Sequence, residues 1–296
     1  MAEDKQKGRI TKGVGGEYTI MLENGSSILA APRGILRKQK VVPTVGDFCY
    51  VEESGDPDIP YVIASIEPRK NLLIRPSVSN IDVLIIAVSI SDPEPDLKLV
   101  DKLIILCAKL SIEPVILLTK TDLSEEQTEI LRNEYREASF QVYETSNTSM
   151  LSEEQIHEIF SGHTVGIAGQ SGVGKSTLCH RLTGMEHIEV GDISERLKRG
   201  KHTTRHVELF PYENGFLIDT PGFSSLEIDR IGIETQDVVK GYPELLRIAG
   251  KCRFDDCRHK GEMGCALEES GISQGRLNRY REFLDIMIES TRRYGK

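Results

Sequence analysis

What this sequence lacks narrows it before any motif is considered. It has no long apolar run. The longest strongly hydrophobic stretch is Val83–Val88, far short of the roughly 20 residues that cross a bilayer as a helix. The opening residues, MAEDKQKGR, are charged and no apolar segment follows them, so no secretory leader is expected and a cytoplasmic location is the default. Internal repeats and long low-complexity linkers are also missing. Basic charge is not in excess: the formal net charge is −9, which argues against a polyanion partner gathered by the molecule as a whole. Local fields decide such docking, however. Base is concentrated at Arg33–Lys40, at Arg196–Arg205 and in the cysteine-containing tail, and acid at Asp92–Asp96 and Glu125–Glu137.

What is present is an ordinary globular composition, 39% hydrophobic and 28% charged over 296 residues. At about 150 residues per domain this predicts two or three compact units. Of the six cysteines, Cys49, Cys107 and Cys179 stand singly in apolar surroundings and read as buried free thiols. Cys252, Cys257 and Cys265 cluster with His259, which in a cytosolic chain suggests metal before disulfide.

Up to about residue 68 the pattern is short alternating runs separated by turn signals. Tyr18–Leu22 meets Ser27–Ala30 across Glu23-Asn24-Gly25, since Asn-Gly accepts the positive φ of a tight hairpin. Further runs at Asp47–Val51 and Tyr61–Ile66 predict a small barrel of the OB type, with a β-sandwich as the competing reading. From about residue 72 buried strands alternate with helices. Asp82–Ile90 and Pro114–Leu118 are continuous apolar runs suited to a parallel sheet covered on both faces. Leu97, Val100, Leu103, Ile104 and Cys107 repeat at helical spacing. Phe140–Glu144, Thr164–Ala168, Val207–Phe210 and Gly215–Asp219 read as further strands. The expected division is an OB barrel at 1–68, an α/β nucleotide domain at 72–228 and a helical metal-binding domain at 229–296, whose last helix carries Leu277, Tyr280, Leu284, Met287 and Ile288 on one face.

Gly169, Gln170, Ser171, Gly172, Val173, Gly174, Lys175 and Ser176, followed by Thr177, satisfy G-x-x-x-x-G-K-[ST] between a predicted strand and a helix. The glycines let backbone N–H groups turn toward phosphate oxygens at a helix N-terminus. Lys175 places a cation on the β- and γ-phosphates, and the Ser176 hydroxyl can ligate Mg²⁺. Alone, this loop does not separate ATP from GTP. Thr119-Lys120-Thr121-Asp122 does: it is similar to the NKxD element of GTPases, with Thr119 in place of Asn. Asp122 can accept from the guanine N1–H and exocyclic amine, and the stem of Lys120 can lie on the base. Ser146, after the next strand, is expected near the base. Asp219-Thr-Pro-Gly222 supplies a carboxylate for Mg²⁺ through water and an N–H that senses the γ-phosphate. Between loop and DTPG, either Thr203 or Thr204 can complete the Mg²⁺ shell.

The position that often holds a water-orienting glutamine, just after the DxxG glycine, is Phe223. Slow intrinsic turnover accelerated by a partner is therefore expected. His202 is the nearest candidate to replace the glutamine, with a solvated or partner-contacting loop histidine as the alternative. Cys252-x4-Cys257-x-His259-x5-Cys265 offers three thiolates and an imidazole, a set suited to a closed, structural tetrahedral Zn²⁺ site. Lys251, Arg253, Arg258 and Lys260 around it suit phosphate contacts on RNA.

Taken together, the OB-like barrel, the permuted order TKTD–GQSGVGKS–GKHTT–DTPG and the C-x4-C-x-H-x5-C pattern resemble the RsgA family of ribosome small-subunit-dependent GTPases over nearly the whole chain. That resemblance implies GTP hydrolysis stimulated by the 30S subunit during its late maturation, contacts of the barrel and zinc domains with 16S rRNA, and a catalytic role for His202. GTP and GDP with Mg²⁺, one Zn²⁺ and a monomeric chain are the expected complement. Three positions depart from the family pattern: Thr119 replaces Asn, Arg205 stands where a third threonine is common, and Met263 where proline is frequent. An RNA-binding factor that uses GTP only as a switch is a second reading; a P-loop kinase is a third, opposed by TKTD and DTPG.

Overall fold

The structure, a computed structural model, describes residues 5–57, 59–74, 76–184, 207–219 and 232–294. Along the chain the strands are β1 (Gln6–Val14), β2 (Glu17–Leu22), β3 (Ser27–Pro32), then after helix α1 (Gly34–Lys38) β4 (Phe48–Asp56), β5 (Ile59–Ile66), β6 (Leu72–Ile74), β7 (Ser77–Ser79) and β8 (Val83–Ser89). Helix α2 (Leu97–Leu110), β9 (Glu113–Thr119), α3 (Glu125–Glu137), β10 (Gln141–Glu144), α4 (Glu153–Phe160), β11 (Thr164–Gly169) and α5 (Lys175–Thr183) follow. The remainder comprises β12 (Glu208–Tyr212), β13 (Gly215–Asp219), α6 (Thr235–Val238), α7 (Pro243–Leu246) and the long α8 (Gln274–Tyr294). Contacts divide the chain into two compact units: Met1–Val83 with Glu154–Ile167 and Ser176–Gly222, and Leu84–Glu153 with Ala168–Lys175 and Phe223–Lys296.

In the first unit, β1 to β5 close into a barrel in the order β1-β2-β3-β5-β4, with β4 returning to β1. Only β3 and β5 run parallel, an arrangement that belongs to the OB barrel rather than to a sandwich. Ile10, Ile20, Val51 and Ile63 fill it and are fully buried, as is the Cys49 thiol. Of the five strands, β1 was not legible as a run, because QKGRITKGV carries few aliphatics. Its Gly8 answers to packing: a Cβ there would stand 2.6 Å from an Ile20 methyl and 2.9 Å from the Met21 carbonyl.

The same unit holds β12 and β13, joined by Glu213 and Asn214, both at positive φ, as a two-residue hairpin turn matched to strand twist requires. Strand β13 runs parallel to β11. Arg9 of β1 is buried between the Phe48 and Phe216 rings, 4.7 Å from each centroid. It donates to the Thr164 hydroxyl (2.7 Å) and to the Asn80 carbonyl (3.2 Å). Burial lowers its guanidinium to about 10, with Asp82 and Asp47 opposing.

In the second unit β8, β9 and β10 lie side by side, β9 and β10 parallel in register. All seven residues of β8 are buried, as a strand covered on both faces must be. Of the repeat its periodicity predicts, helix α2 buries Val100, Leu103, Ile104 and Cys107 while Leu97 is half-buried; it also buries Leu99, Ile105, Leu106 and Asp101. That carboxylate takes Arg276 (2.7 Å) and Arg279 (2.6 Å) from α8. Arg276 also bonds Glu244 (2.6 Å) and lies between Tyr135, Phe140 and Tyr242. Burial alone would lower both guanidinium groups; Asp101, with Glu244 beside Arg276 and Glu134 beside Arg279, overrides it and holds both above the ordinary arginine value. Among the described residues no helix is long and apolar enough to cross a membrane.

Candidate nucleotide site and metal centre

The phosphate loop leaves the buried strand β11 and enters α5 at Lys175, so the context its motif requires is present. Gly169 has φ +144°, and a Cβ there would fall 2.3 Å from the Ala87 carbonyl of β8. The loop can therefore leave its strand only with glycine at this point. Gly172 and Gly174 are also at positive φ. Lys175 Nζ donates to the Gly169 (2.9 Å) and Gln170 (2.6 Å) carbonyls, which holds the ammonium against the loop's own backbone. Ser171, Ser176 and Thr177 are exposed and Val173 is buried.

The guanine-reading candidates gather at the carboxyl ends of β9 and β10, where ligands bind in open parallel sheets. Thr119, the last residue of β9, is buried, and its hydroxyl donates to the Val173 carbonyl at 2.8 Å. The residue that departs from the family's asparagine thus ties the TKTD element to the phosphate loop. Lys120 is left-handed (φ +59°), and its ammonium donates to the Asp92 carbonyl. Asp122 accepts from the Asn147 amide (3.4 Å) and side chain (3.3 Å). Ser146 Oγ accepts from the Ser149 (2.9 Å) and Thr148 (3.2 Å) amides, forming the tight loop after β10. Asn147 is a partner of Asp122 that the sequence did not disclose; its proximity depends on β9 and β10 ending side by side.

Asp219 is the last residue of β13 and pairs in register with Glu208. His202, Thr203, Thr204, Gly222 and Phe223 lie outside the described residues.

The four ligand candidates of the tail do converge. Atoms from Cys252, Cys257, His259 and Cys265 all lie within 4.8 Å of one another. His259 Nδ1 is 3.7 Å, 3.8 Å and 3.4 Å from the three sulfurs. A tetrahedral ion with metal–sulfur bonds of about 2.3 Å and a metal–nitrogen bond of about 2.0 Å has such edges at about 3.5 Å, so the group could hold a metal ion. His259 is buried in a left-handed conformation, and burial lowers its imidazole, favouring the neutral, ligating form. The Cys257 thiol is pushed up to about 12, by burial first and then by the neighbouring thiols. The Ala266 amide donates to Cys252 Sγ (3.4 Å), a contact that orients a ligand. Tyr280 and Arg281 of α8 hold the knuckle through the Arg258 (3.1 Å) and His259 (3.2 Å) carbonyls.

Comparison with known proteins agrees with this geometry. The sequence model of the RsgA GTPase family matches residues 66–229. This chain belongs to the RsgA GTPase family. Accordingly it is a GTP hydrolase, with its GTPase motifs in permuted order. It is 38% identical, over 98% of its length and 97% of the relative's, to the small ribosomal subunit biogenesis GTPase RsgA of Ruminiclostridium cellulolyticum. Among solved structures it is similar to YloQ, a circularly permuted GTPase, at 31% identity with a TM-score of 0.79 over 96% of both chains. It is also similar to YjeQ from Thermotoga maritima, at 28% identity and a TM-score of 0.80 over 96% of this chain and 99% of that one.

Proposed function

We propose that this RsgA-family GTPase acts on the small (30S) ribosomal subunit, hydrolysing GTP when the subunit stimulates it. The observation that carries the site is the Thr119–Val173 hydrogen bond, which joins the base-reading and phosphate-binding elements into one site. In this reading Asp122 and Ser146 face guanine, the amides of Gly169–Gly174 and the Lys175 ammonium take the β- and γ-phosphates, and Thr177 lies beside them. Ser176, Asp219 and Thr203 or Thr204 hold Mg²⁺, which when bound neutralises charge on the phosphate oxygens. Gly222 reads the γ-phosphate. Phe223 cannot orient water, so His202 does so when the partner is bound.

The three-part division at 1–68, 72–228 and 229–296 assigns RNA contact to the barrel and to the metal knuckle, with 16S rRNA as the surface met. Three thiolates and one imidazole select Zn²⁺. On the knuckle Lys251 pairs with Glu269 and Lys260 with Asp285, so the exposed Arg253 and Arg258 are the phosphate contacts favoured here. A monomer working in the cytoplasm fits this role.

The test is GTP turnover with and without purified 30S subunits. Stimulation of at least about 10-fold is expected, with about 10²-fold or more of the stimulated rate lost in His202→Ala. Absence of stimulation would leave only a nucleotide-gated binding factor, and an unchanged stimulated rate in His202→Ala would remove that residue from the mechanism.

A further inference from the structure

The side chain of Gln170 does something the phosphate-loop motif does not require. Its Oε1 accepts the amide of Asp96 at 3.2 Å. Asp96 is the N-cap of α2, its own carboxylate accepting from the Leu99 amide at 3.0 Å. The phosphate loop is thus fastened to the first turn of α2. One and a half turns further along, Asp101 of α2 is fully enclosed and held by two guanidinium groups of α8, Arg276 and Arg279. The hydroxyl of Tyr242 donates to the same carboxylate at 3.2 Å. Arg279 is itself braced by Glu134 of α3 at 2.7 Å, and the two residues after it, Tyr280 and Arg281, carry the contacts to the knuckle carbonyls. All of these residues belong to one compact unit.

A helix clamped at its middle by buried charge pairs and bonded at its N-cap to a loop transmits axial position rather than absorbing it, because close-packed interiors do not deform continuously. We propose that Gln170 is a positioning residue through which α8 sets the phosphate loop: α8 holds α2 by Asp101, and α2 holds the loop by Asp96 and Gln170. The C-terminal helix, which carries the knuckle, is thereby coupled to guanine-nucleotide affinity. This rests on the nucleotide site proposed above and adds the element that tunes it.

A double-mutant cycle on the full chain tests it, read as the Kd and dissociation rate of fluorescent GDP. Gln170→Met keeps volume and removes the acceptor; Arg279→Lys keeps charge and removes the fork that spans Asp101 and Glu134. Each single change is expected to weaken GDP binding about fivefold. Arg279→Lys is expected to add less than about twofold in the Gln170→Met background. Multiplying effects, or Arg279→Lys lowering unfolding stability with GDP affinity unchanged, would overturn the coupling. If Arg279→Lys does not fold, Glu134→Gln perturbs the same guanidinium more gently and closes the same cycle with the same expected and overturning results. Failure of the unsubstituted chain to bind guanine nucleotide would instead remove the site reading on which the coupling rests.

Discussion

Asp122 shows how little a single residue type says before its neighbours are placed. A carboxylate after a strand is commonplace, but here it stands at the end of β9 with Asn147 donating to both of its oxygens, beside a threonine bonded to the phosphate loop. Two acceptors side by side match the two donors of guanine's N1–H and amine edge. Asp122→Asn replaces one acceptor by a donor, so guanine affinity is expected to fall roughly 10- to 100-fold, the worth of a hydrogen bond to a charged group. Xanthine nucleotides should gain correspondingly, and competition binding of GDP against XDP reads both. Unchanged GDP affinity would refute the base-reading role.

At the scale of elements, α2 is tied down at both its middle and its end by charge. Arg276 is fully buried between Asp101 and Glu244, so Arg276→Met leaves the buried Glu244 carboxylate without its cation and Asp101 with Arg279 alone. Breaking one side of a buried pair costs about 3–5 kcal/mol, and chemical denaturation should show a loss of that size. Near the C-terminal end of α2, Lys109 reaches Asp237 of α6 at 2.9 Å. Burial tends to raise the Asp237 carboxyl, but hydrogen bonds from Lys240, the Glu234 amide and Lys109 outweigh it and hold the group at about 2, below the ordinary 3.8. A depressed carboxylate contributes its stability above the unfolded value and loses it as pH falls through the folded one. The contribution is about 2 kcal/mol at neutral pH. Relative to Asp237→Asn, the natural chain is expected to lose that advantage between about pH 4 and pH 2, as urea titrations at stepped pH would show; a gap that stays constant over this range would refute the assignment.

On the scale of the whole molecule, the knuckle is the part where an ion is expected to matter most for cohesion, since four ligand candidates converge there. Its ligand loop has few apolar groups, and Phe254 and Met263 within it are exposed. Removing the metal with a chelator is expected to lower the melting temperature by more than about 5 °C, given the size of structural-metal contributions. Because the thiols must lose protons to bind, and burial pushes the Cys257 thiol up to about 12, metal affinity should fall steeply as pH is lowered. Melting curves indifferent to chelator would argue that hydrogen bonds from Tyr280 and Arg281 alone hold the knuckle.

The phosphate loop, TKTD and the cysteine-histidine spacing were readable from residues alone because each chemistry is local: a glycine that must turn, a cation beside a phosphate, four ligands within fourteen positions. The hairpin at Asn24-Gly25 and the buried strand β8 were readable for the same reason, turn conformation and continuous apolarity being properties of a short segment. Strand β1 was not, since its inward set is one isoleucine among lysines and glycines and its place is set by partners on β2 and β4. Nor could the sequence tell Arg276 and Arg279 from solvated charges on an amphipathic helix. Their partner Asp101 lies 175 residues from Arg276, and only packing brings the two together. Likewise, the motifs gave no sign that the Gln170 side chain meets Asp96 or that the Thr119 hydroxyl meets Val173. Local conformation and ligand chemistry are written in neighbouring residues; which distant groups meet depends on how strand ends and helix faces are brought together, and that was decided by the fold.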